Sequence, residues 1–141
     1  MLESKRDAVA VIAIDASECA IGVVEGEACD ILDSMTSGVA GKSGKGGSSQ
    51  RRYERNRAAE LNAYYQRVAK HANNLLLKLP NLKEIIVFGP GFTKITFLKT
   101  TALDYRLKKL VTGIVDGEYA GADGVLQAHN RLLAEREQKT G

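Results

Sequence analysis

Apolar residues spaced three and four apart run through the middle of this chain and predict one long helix. They are Leu61, Tyr64, Tyr65, Val68, Ala69, Ala72, Leu75, Leu76 and Leu79. We place the helix at about residues 49–79 and expect it to end at Pro80, because proline interrupts helical hydrogen bonding. Before Leu61 the stripe fades, so the first turns have no core to face and should project beyond the domain.

Five apolar segments around this helix predict the strands of one sheet. Ala8–Ile14 is continuously apolar, which is typical of a strand buried on both faces, so we place it mid-sheet. Cys19–Val24 and Ala28–Met35 follow after short polar turns and should complete an antiparallel meander. Glu84–Phe88 and Val111–Val115 alternate with helices and should add to the sheet in parallel.

The remaining segments predict helices that cover the sheet. Thr93 is a candidate N-cap of a short helix, Asp104–Leu110 continues helical, and Asp123–Gln138 is a closing amphipathic helix. The predicted fold class is therefore α/β, a mixed five-stranded sheet flanked by helices, with a projecting glycine-rich tip at residues 38–50. A length of 141 residues with 44% hydrophobic content predicts a single domain over residues 1–141.

Positive charge is concentrated in the tip and at the start of the long helix. Between Ala40 and Arg57 six basic residues and one acid, Glu54, give +5, although the whole chain carries only +3. The basic residues are Lys42, Lys45, Arg51, Arg52, Arg55 and Arg57. Such a patch creates a local field suited to phosphate, which predicts a large anionic partner and makes these six residues candidates for RNA binding.

Several other functions are disfavoured by spacing. Gly38–Ser43 contains Gly-Lys-Ser, but only two residues separate its glycines where a nucleotide-binding loop needs four. His71 and His129 have no spaced carboxylate or nucleophile, so we expect surface or half-buried histidines. Cys19 and Cys29 form no metal motif and are expected to be buried reduced thiols. We expect no metal and no cofactor, and a cytoplasmic protein, because no apolar run approaches the ~20 residues of a membrane span.

The tip has two interpretations, one in which it takes part in catalysis and one in which it only binds RNA. Glycines remove side-chain bulk, so backbone N–H groups can approach a reacting centre and stabilise an oxyanion. The amide of Gln50 can donate a hydrogen bond or hold a water, although it cannot act as a general base. Alternatively, the tip is a basic loop that only docks on RNA phosphates.

Several separated motifs resemble, in the same order, the middle domain of class I peptide-chain release factors of archaea and eukaryotes. They are Ser37–Lys42, Gly46–Arg55, Gly-Pro-Gly-x-Thr-Lys at 89–94 after Phe88 and followed by Phe97-Leu98, and Gly-x-Val-Asp-x-x-Tyr-x-Gly at 113–121. The resemblance spans about residues 8–133. It implies an α/β unit whose Gly-Gly-Gln tip enters the peptidyl-transferase centre of the large ribosomal subunit and promotes hydrolysis of the ester joining the nascent peptide to tRNA.

Carried over position by position, Gly46 and Gly47 match the two family glycines, and Arg52 and Arg55 match basic positions of the following helix. Tyr53 matches an aromatic position of that helix.

The family glutamine itself is missing, because Ser48 stands in its place. Quality-control relatives carry tips resembling Gly-x-x-Gln or Gly-Gly-x-Ser-Gln, which Gly47 to Gln50 fits, so Gln50 is then the functional amide in a shifted register. In the other interpretation the chain resembles a paralogue that kept ribosome binding and lost hydrolysis. We favour the first.

The resemblance predicts translation termination or ribosome rescue, with a catalytic tip comprising Gly46, Gly47, Ser48 and Gln50. The expected partners are large-subunit RNA and peptidyl-tRNA, and no membrane. Release factors also carry flanking domains, so the chain is either one domain of a longer factor, with those domains as partners, or a one-domain relative. The alternative function is a ribosome- or RNA-binding module without hydrolysis.

Overall fold

A computed structural model describes residues 7–39, 47–100 and 102–140 of the chain. The elements are β1 (Ala8–Ile14), β2 (Glu18–Glu25), β3 (Ala28–Thr36), α1 (Gly47–Leu76), β4 (Leu82–Gly89), α2 (Thr93–Lys99), α3 (Tyr105–Lys108), β5 (Val111–Asp116) and α4 (Gly121–Thr140).

The strands form one mixed sheet in the order β3-β2-β1-β4-β5. β1, β2 and β3 make the antiparallel meander, while β4 pairs with β1 and β5 with β4 in parallel. Ile12 of β1 stands opposite Ile21 on one side and Val87 on the other, so the continuously apolar strand is central. The predicted fold class, the meander and the parallel additions are confirmed.

Alternate side chains of the sheet enter two separate cores. One core joins Ile12, Ile21 and Val87 to α1, α2 and α3, and the other joins Val11 and Phe88 to α4. Because β1 is covered on both faces, nearly every one of its side chains is apolar and buried. The sheet is thus a rigid support with α1 lying on one face.

Only the second half of α1 lies on that support. Tyr64, Val68 and Ala72 are fully buried, whereas Arg52 and Arg55 in the first half are exposed. The projection predicted from the fading apolar stripe is therefore confirmed.

The end of α1 differs from the prediction. The helix stops at Leu76, before Pro80, and the amide of Leu79 then donates to the carbonyl of Leu76 at 3.1 Å. This tight turn redirects the chain toward β4 and still allows Leu79 to pack against the core. The apolar periodicity therefore extends beyond the end of α1, because the turn places Leu79 against the same core as the helix.

Three side-chain predictions were wrong. Phe92, not Thr93, is the N-cap of α2, and Thr93 is the first residue of that helix. His129 is buried, with its Nε2 3.1 Å from the carbonyl oxygen of Gly26 in the turn before β3, which satisfies one ring nitrogen. Cys29 is only half-buried because it lies on edge strand β3, whereas Cys19 is buried as expected.

Candidate functional site

The first half of α1 presents a basic surface to solvent. Arg51, Arg52 and Arg55 are exposed, and Arg51 and Arg55 line a shallow open depression on the helix. Arg57 is half-buried, and its Nε atom is enclosed without a hydrogen-bond partner among the residues that the structure describes. Three guanidinium groups on about one and a half turns of a projecting helix can each contact a different phosphate.

Part of the predicted site lies outside the described residues, namely Lys42, Lys45 and Gly46. Gly47, Ser48 and Gln50 are described in their backbone, and they form the first turn of α1. The helix thus begins within the predicted tip of residues 38–50, two residues earlier than expected. The side chains of Ser48, Gln50 and Tyr53 lie outside what the structure describes.

Helical geometry separates the two candidate tip positions. Successive residues turn by about 100°, so Ser48 and Gln50 are about 200° apart around the α1 axis and about 3 Å apart along it. Gln50 stands on the same line of the helix as Val68, which faces the sheet five turns later. Ser48 and Gln50 therefore occupy nearly opposite sides of α1 while this turn stays helical, so the two positions are not interchangeable.

The exit of the chain from β3 is fastened to α1 by Arg67. Its guanidinium donates to the carbonyl of Thr36 at 3.3 and 3.4 Å and to that of Ser37 at 3.3 Å. The same guanidinium lies 5.7 Å from the centre of the Tyr64 ring. Arg67 thereby connects the end of β3, just before the tip, to the packed half of α1.

Tyr64 extends this connection to the turn between β1 and β2. Its hydroxyl donates to the carbonyl of Asp15 at 3.0 Å, and the amide of Ser37 donates to the carbonyl of Ser17 at 2.8 Å in the same turn. Burial, with Cys19 and Asp15 nearby, raises the pKa of the Tyr64 phenol, so it remains a donor.

A second fastening lies one turn further along α1. The Nδ1 atom of His71 contacts the carboxylate of Asp33 on β3. We call the contacts of Tyr64, Arg67 and His71 with β3 and the β1–β2 turn the junction. Sequence reasoning missed it, because Asp33 and His71 are separated by 38 residues and no local pattern links them.

On the other side of the sheet from β3, buried Lys94 joins α2 to the edge strand β5. Its ammonium donates to the carbonyl of Gly91 at 2.5 Å and meets the Asp116 carboxylate at 2.6 Å. The hydrogen bond and the positive charge of Lys94 lower the pKa of Asp116. Because Lys94 is buried and its ammonium is already held by Gly91 and Asp116, this residue positions the fold and is not free for a ligand.

The described residues contain no arrangement typical of metal catalysis. Across residues 7–39, 47–100 and 102–140, no three His, Cys, Asp or Glu side chains are grouped so as to hold a metal ion. No helix in the same part of the chain has the length and apolarity for crossing a membrane. What the geometry offers is a basic projecting helix start held on a rigid base.

Comparison with known proteins identifies relatives of this arrangement. The family described as "eRF1 domain 2" matches residues 8–137. Peptide chain release factor subunit 1 of Pyrococcus abyssi is 42% identical over 123 residues, covering 85% of this chain and 30% of that protein. The Thermococcus onnurineus protein of the same name is 38% identical over 138 residues, covering 94% of this chain and 33% of its own length. The chain therefore spans about a third of the length of these relatives.

Solved structures agree with the sequence matches. The crystal structure of the archaeal translation termination factor aRF1 superimposes with a TM-score of 0.76 at 26% identity, over 94% of this chain and 39% of the other. The Thermoplasma acidophilum Pelota protein shares the fold, with a TM-score of 0.61 at 18% identity over 96% of this chain and 36% of the other. The family match over residues 8–137 confirms the resemblance predicted from the motifs, and the chain belongs to the eRF1 domain 2 family.

Proposed function

We propose that this chain acts in translation termination or ribosome rescue, by bringing its tip to the peptidyl-transferase centre of the large ribosomal subunit and promoting hydrolysis of peptidyl-tRNA. The observation that carries the proposal is the first half of α1. It is a basic, exposed helix start, placed directly after the tip glycines, in a chain whose relatives are named peptide chain release factors. Such a factor works where ribosomes translate, in the cytoplasm.

The six basic residues predicted for RNA supply the binding energy in this proposal. Arg51, Arg52 and Arg55 contact phosphates of large-subunit RNA and peptidyl-tRNA, assisted by Arg57, Lys42 and Lys45. Phosphate contacts fix position and orientation without reading a base sequence, which suits delivery of a tip to one site. The junction then fixes the direction in which α1 points, because the Arg67 guanidinium holds Thr36 and Ser37.

The tip contributes positioning and polar groups to a reaction whose active site is mostly RNA. Water adds to the ester carbonyl, the bond between the acyl carbon and the tRNA oxygen breaks, and that oxygen leaves as a hydroxyl after taking a proton. Gly46 and Gly47 allow backbone N–H groups to approach the developing oxyanion, and the amide of Gln50 orients the water. Ser48 occupies the position of the family glutamine and is not required in this register.

A release assay tests the proposal. Stalled ribosomes carrying a labelled nascent peptide are mixed with the protein, and the freed peptide is counted. Gln50→Ala should lose about a hundredfold in rate, as expected when a group that orients a reactant is removed, and Ser48→Ala should retain activity. Release that is unchanged in Gln50→Ala would remove Gln50 from the mechanism.

Gly47→Ala distinguishes close approach of the backbone to the ester from binding of the basic residues to RNA. The added methyl group should slow release and leave the affinity for large subunits nearly intact, since no charge changes. Equal losses of release and affinity would contradict a role for Gly47 at the reacting centre.

Ser48 supports a second candidate function, an RNA-binding module without hydrolysis. This module would bind large subunits with a steep salt dependence and release no peptide, whichever residue stands at position 50. Restoring the family residue with Ser48→Gln distinguishes the two. If hydrolysis was lost, the glutamine should create release activity; if Gln50 is the functional amide, wild type already releases peptide.

A further inference from the structure

A second basic surface lies on α3, far from the tip, around an exposed tyrosine. Tyr105 as a residue is 69% exposed. The Lys109 ammonium lies 5.7 Å and the Arg106 guanidinium carbon 6.0 Å from the centre of that ring. Lys99, at the end of α2, is exposed next to Thr100, whose carbonyl accepts a hydrogen bond from Lys108 of α3 at 2.8 Å. We call Lys99, Tyr105, Arg106 and Lys109 the tyrosine surface.

The tyrosine surface is held firmly on the domain. Asp104 caps α3, accepting from the Arg106 amide at 2.8 Å, and its carboxylate also holds the Arg106 guanidinium at 3.0 Å. Asn73 of α1 donates to the carbonyl of Ala102 at 3.0 Å and accepts from the amide of Asp104 at 2.8 Å. The exposed ring therefore sits on a fixed support, so little ordering is needed when it binds.

Charge is segregated between the layers of the domain. The three helices on one face, α1, α2 and α3, contain ten lysines and arginines and two acids, whereas the five strands contain one lysine and six acids. The positive field thus continues beyond the tip along the whole helical layer. Asn73, which supports the tyrosine surface, stands 22 residues after Arg51, or about 33 Å along α1, so the two ends reach different parts of a partner.

We propose that the tyrosine surface is a second RNA-binding site, at which an unpaired base stacks on Tyr105 and neighbouring phosphates contact Lys99 and Lys109. This inference rests on the proposed function for its target, large-subunit RNA. An exposed aromatic ring bordered by cations is the combination that unpaired nucleotides recognise, through the π-face of the base and the charge of the backbone. An acidic protein would pair with the cations alone and would give the exposed tyrosine no role.

Binding to purified large subunits, measured over a range of salt concentrations, tests the site. Tyr105→Ala should weaken binding about tenfold, whereas Tyr105→Phe, which keeps the ring, should bind like wild type. Lys109→Ala should lower the log–log salt slope by about 0.7–0.9, the value of one phosphate contact. Lys83→Ala, which removes another exposed lysine, on β4, is the matched control and should change neither quantity.

A photoreactive residue at position 105 identifies the partner. Cross-links to ribosomal RNA support the site, and cross-links only to ribosomal protein overturn it, as does unchanged affinity in Tyr105→Ala. In the release assay, Tyr105→Ala should raise the concentration needed for half-maximal release and leave the saturated rate unchanged. If the wild type releases no peptide, the proposed catalytic function fails, while affinity and cross-links still decide the tyrosine surface.

Discussion

The two halves of α1 have the same backbone conformation and opposite surroundings. Residues 61–76 alternate buried apolar side chains with exposed polar ones and lie on the sheet, with Tyr64 and Val68 fully buried. Residues 47–60 continue the helix without a core, and Arg52 and Arg55 face solvent. Since a helix gains most of its stability from tertiary packing, the second half must hold the first in place. Packing against the core and exposed positive charge are therefore assigned to different halves of one helix.

Removing the aromatic ring of Tyr64 gives the largest expected difference between the halves. Tyr64→Ala should lower the free energy of unfolding by about 3–5 kcal/mol, because a fully buried aromatic side chain is replaced by a cavity. Arg55→Ala in the first half should change it by less than about 0.5 kcal/mol. Urea denaturation measures both, and similar losses in the two variants would show that the first half is also part of the folded core.

Reversing charge in the first half of α1 should impair binding to large subunits and leave stability nearly unchanged. Arg51→Glu combined with Arg55→Glu should weaken binding to large subunits about a hundredfold at low salt and lower the log–log salt slope by about two units. Unfolding by urea should be nearly unchanged. Lys78→Glu with Lys83→Glu makes the same charge change elsewhere, and equal weakening by this control would mean that net charge, not the helix start, controls binding.

The junction should show an intermediate effect where the halves meet. Arg67→Ala removes the hydrogen bonds to Thr36 and Ser37 and should cost about 1 kcal/mol of stability, with Gln66→Ala as the neutral neighbour. In the proposed function Arg67 sets the direction of the tip, so its loss should reduce the saturated release rate more than the affinity for large subunits. A loss confined to affinity would assign Arg67 to RNA contact instead.

The smallest effect concerns acid stability in the body of the domain. Lys94 lowers the pKa of Asp116, so this carboxylate contributes stability above its unfolded pKa, near 4, and the contribution is lost as pH falls through the lower folded pKa. Asp116→Asn should therefore be less stable than wild type at pH 6, and the difference should shrink toward pH 3. Urea midpoints at the two pH values measure it. Glu118→Gln is the control, and a deficit for Asp116→Asn that persists unchanged in acid would contradict the pairing.

The sequence predicted the layers of this fold well because their signals are local. The continuous apolar run of β1 and the spacing of Tyr64, Val68 and Ala72 are set by burial against neighbouring elements, and both were confirmed. The end of α1 was misplaced because Leu79 reaches the same core from a turn.

The candidate site was less predictable, because its contacts join distant parts of the chain. Arg67 reaches Thr36 across 31 residues, and His71 reaches Asp33 across 38. Charge counting found the basic helix start, since its arginines lie close together in the sequence. It did not find the tyrosine surface, which depends on Asn73 of α1 fixing α3.

The most direct test of the account is directed hydroxyl-radical probing from residue 49, at the start of α1. Ser49→Cys carries an iron chelate in a Cys29→Ser background, while Cys19 stays unlabelled because it is buried and burial raises the pKa of its thiol. With the protein bound to large subunits, we predict RNA cleavage concentrated at nucleotides of the peptidyl-transferase centre. Cleavage only at distant nucleotides, from a protein shown to be bound, would contradict the claim that the first half of α1 carries the tip into that centre.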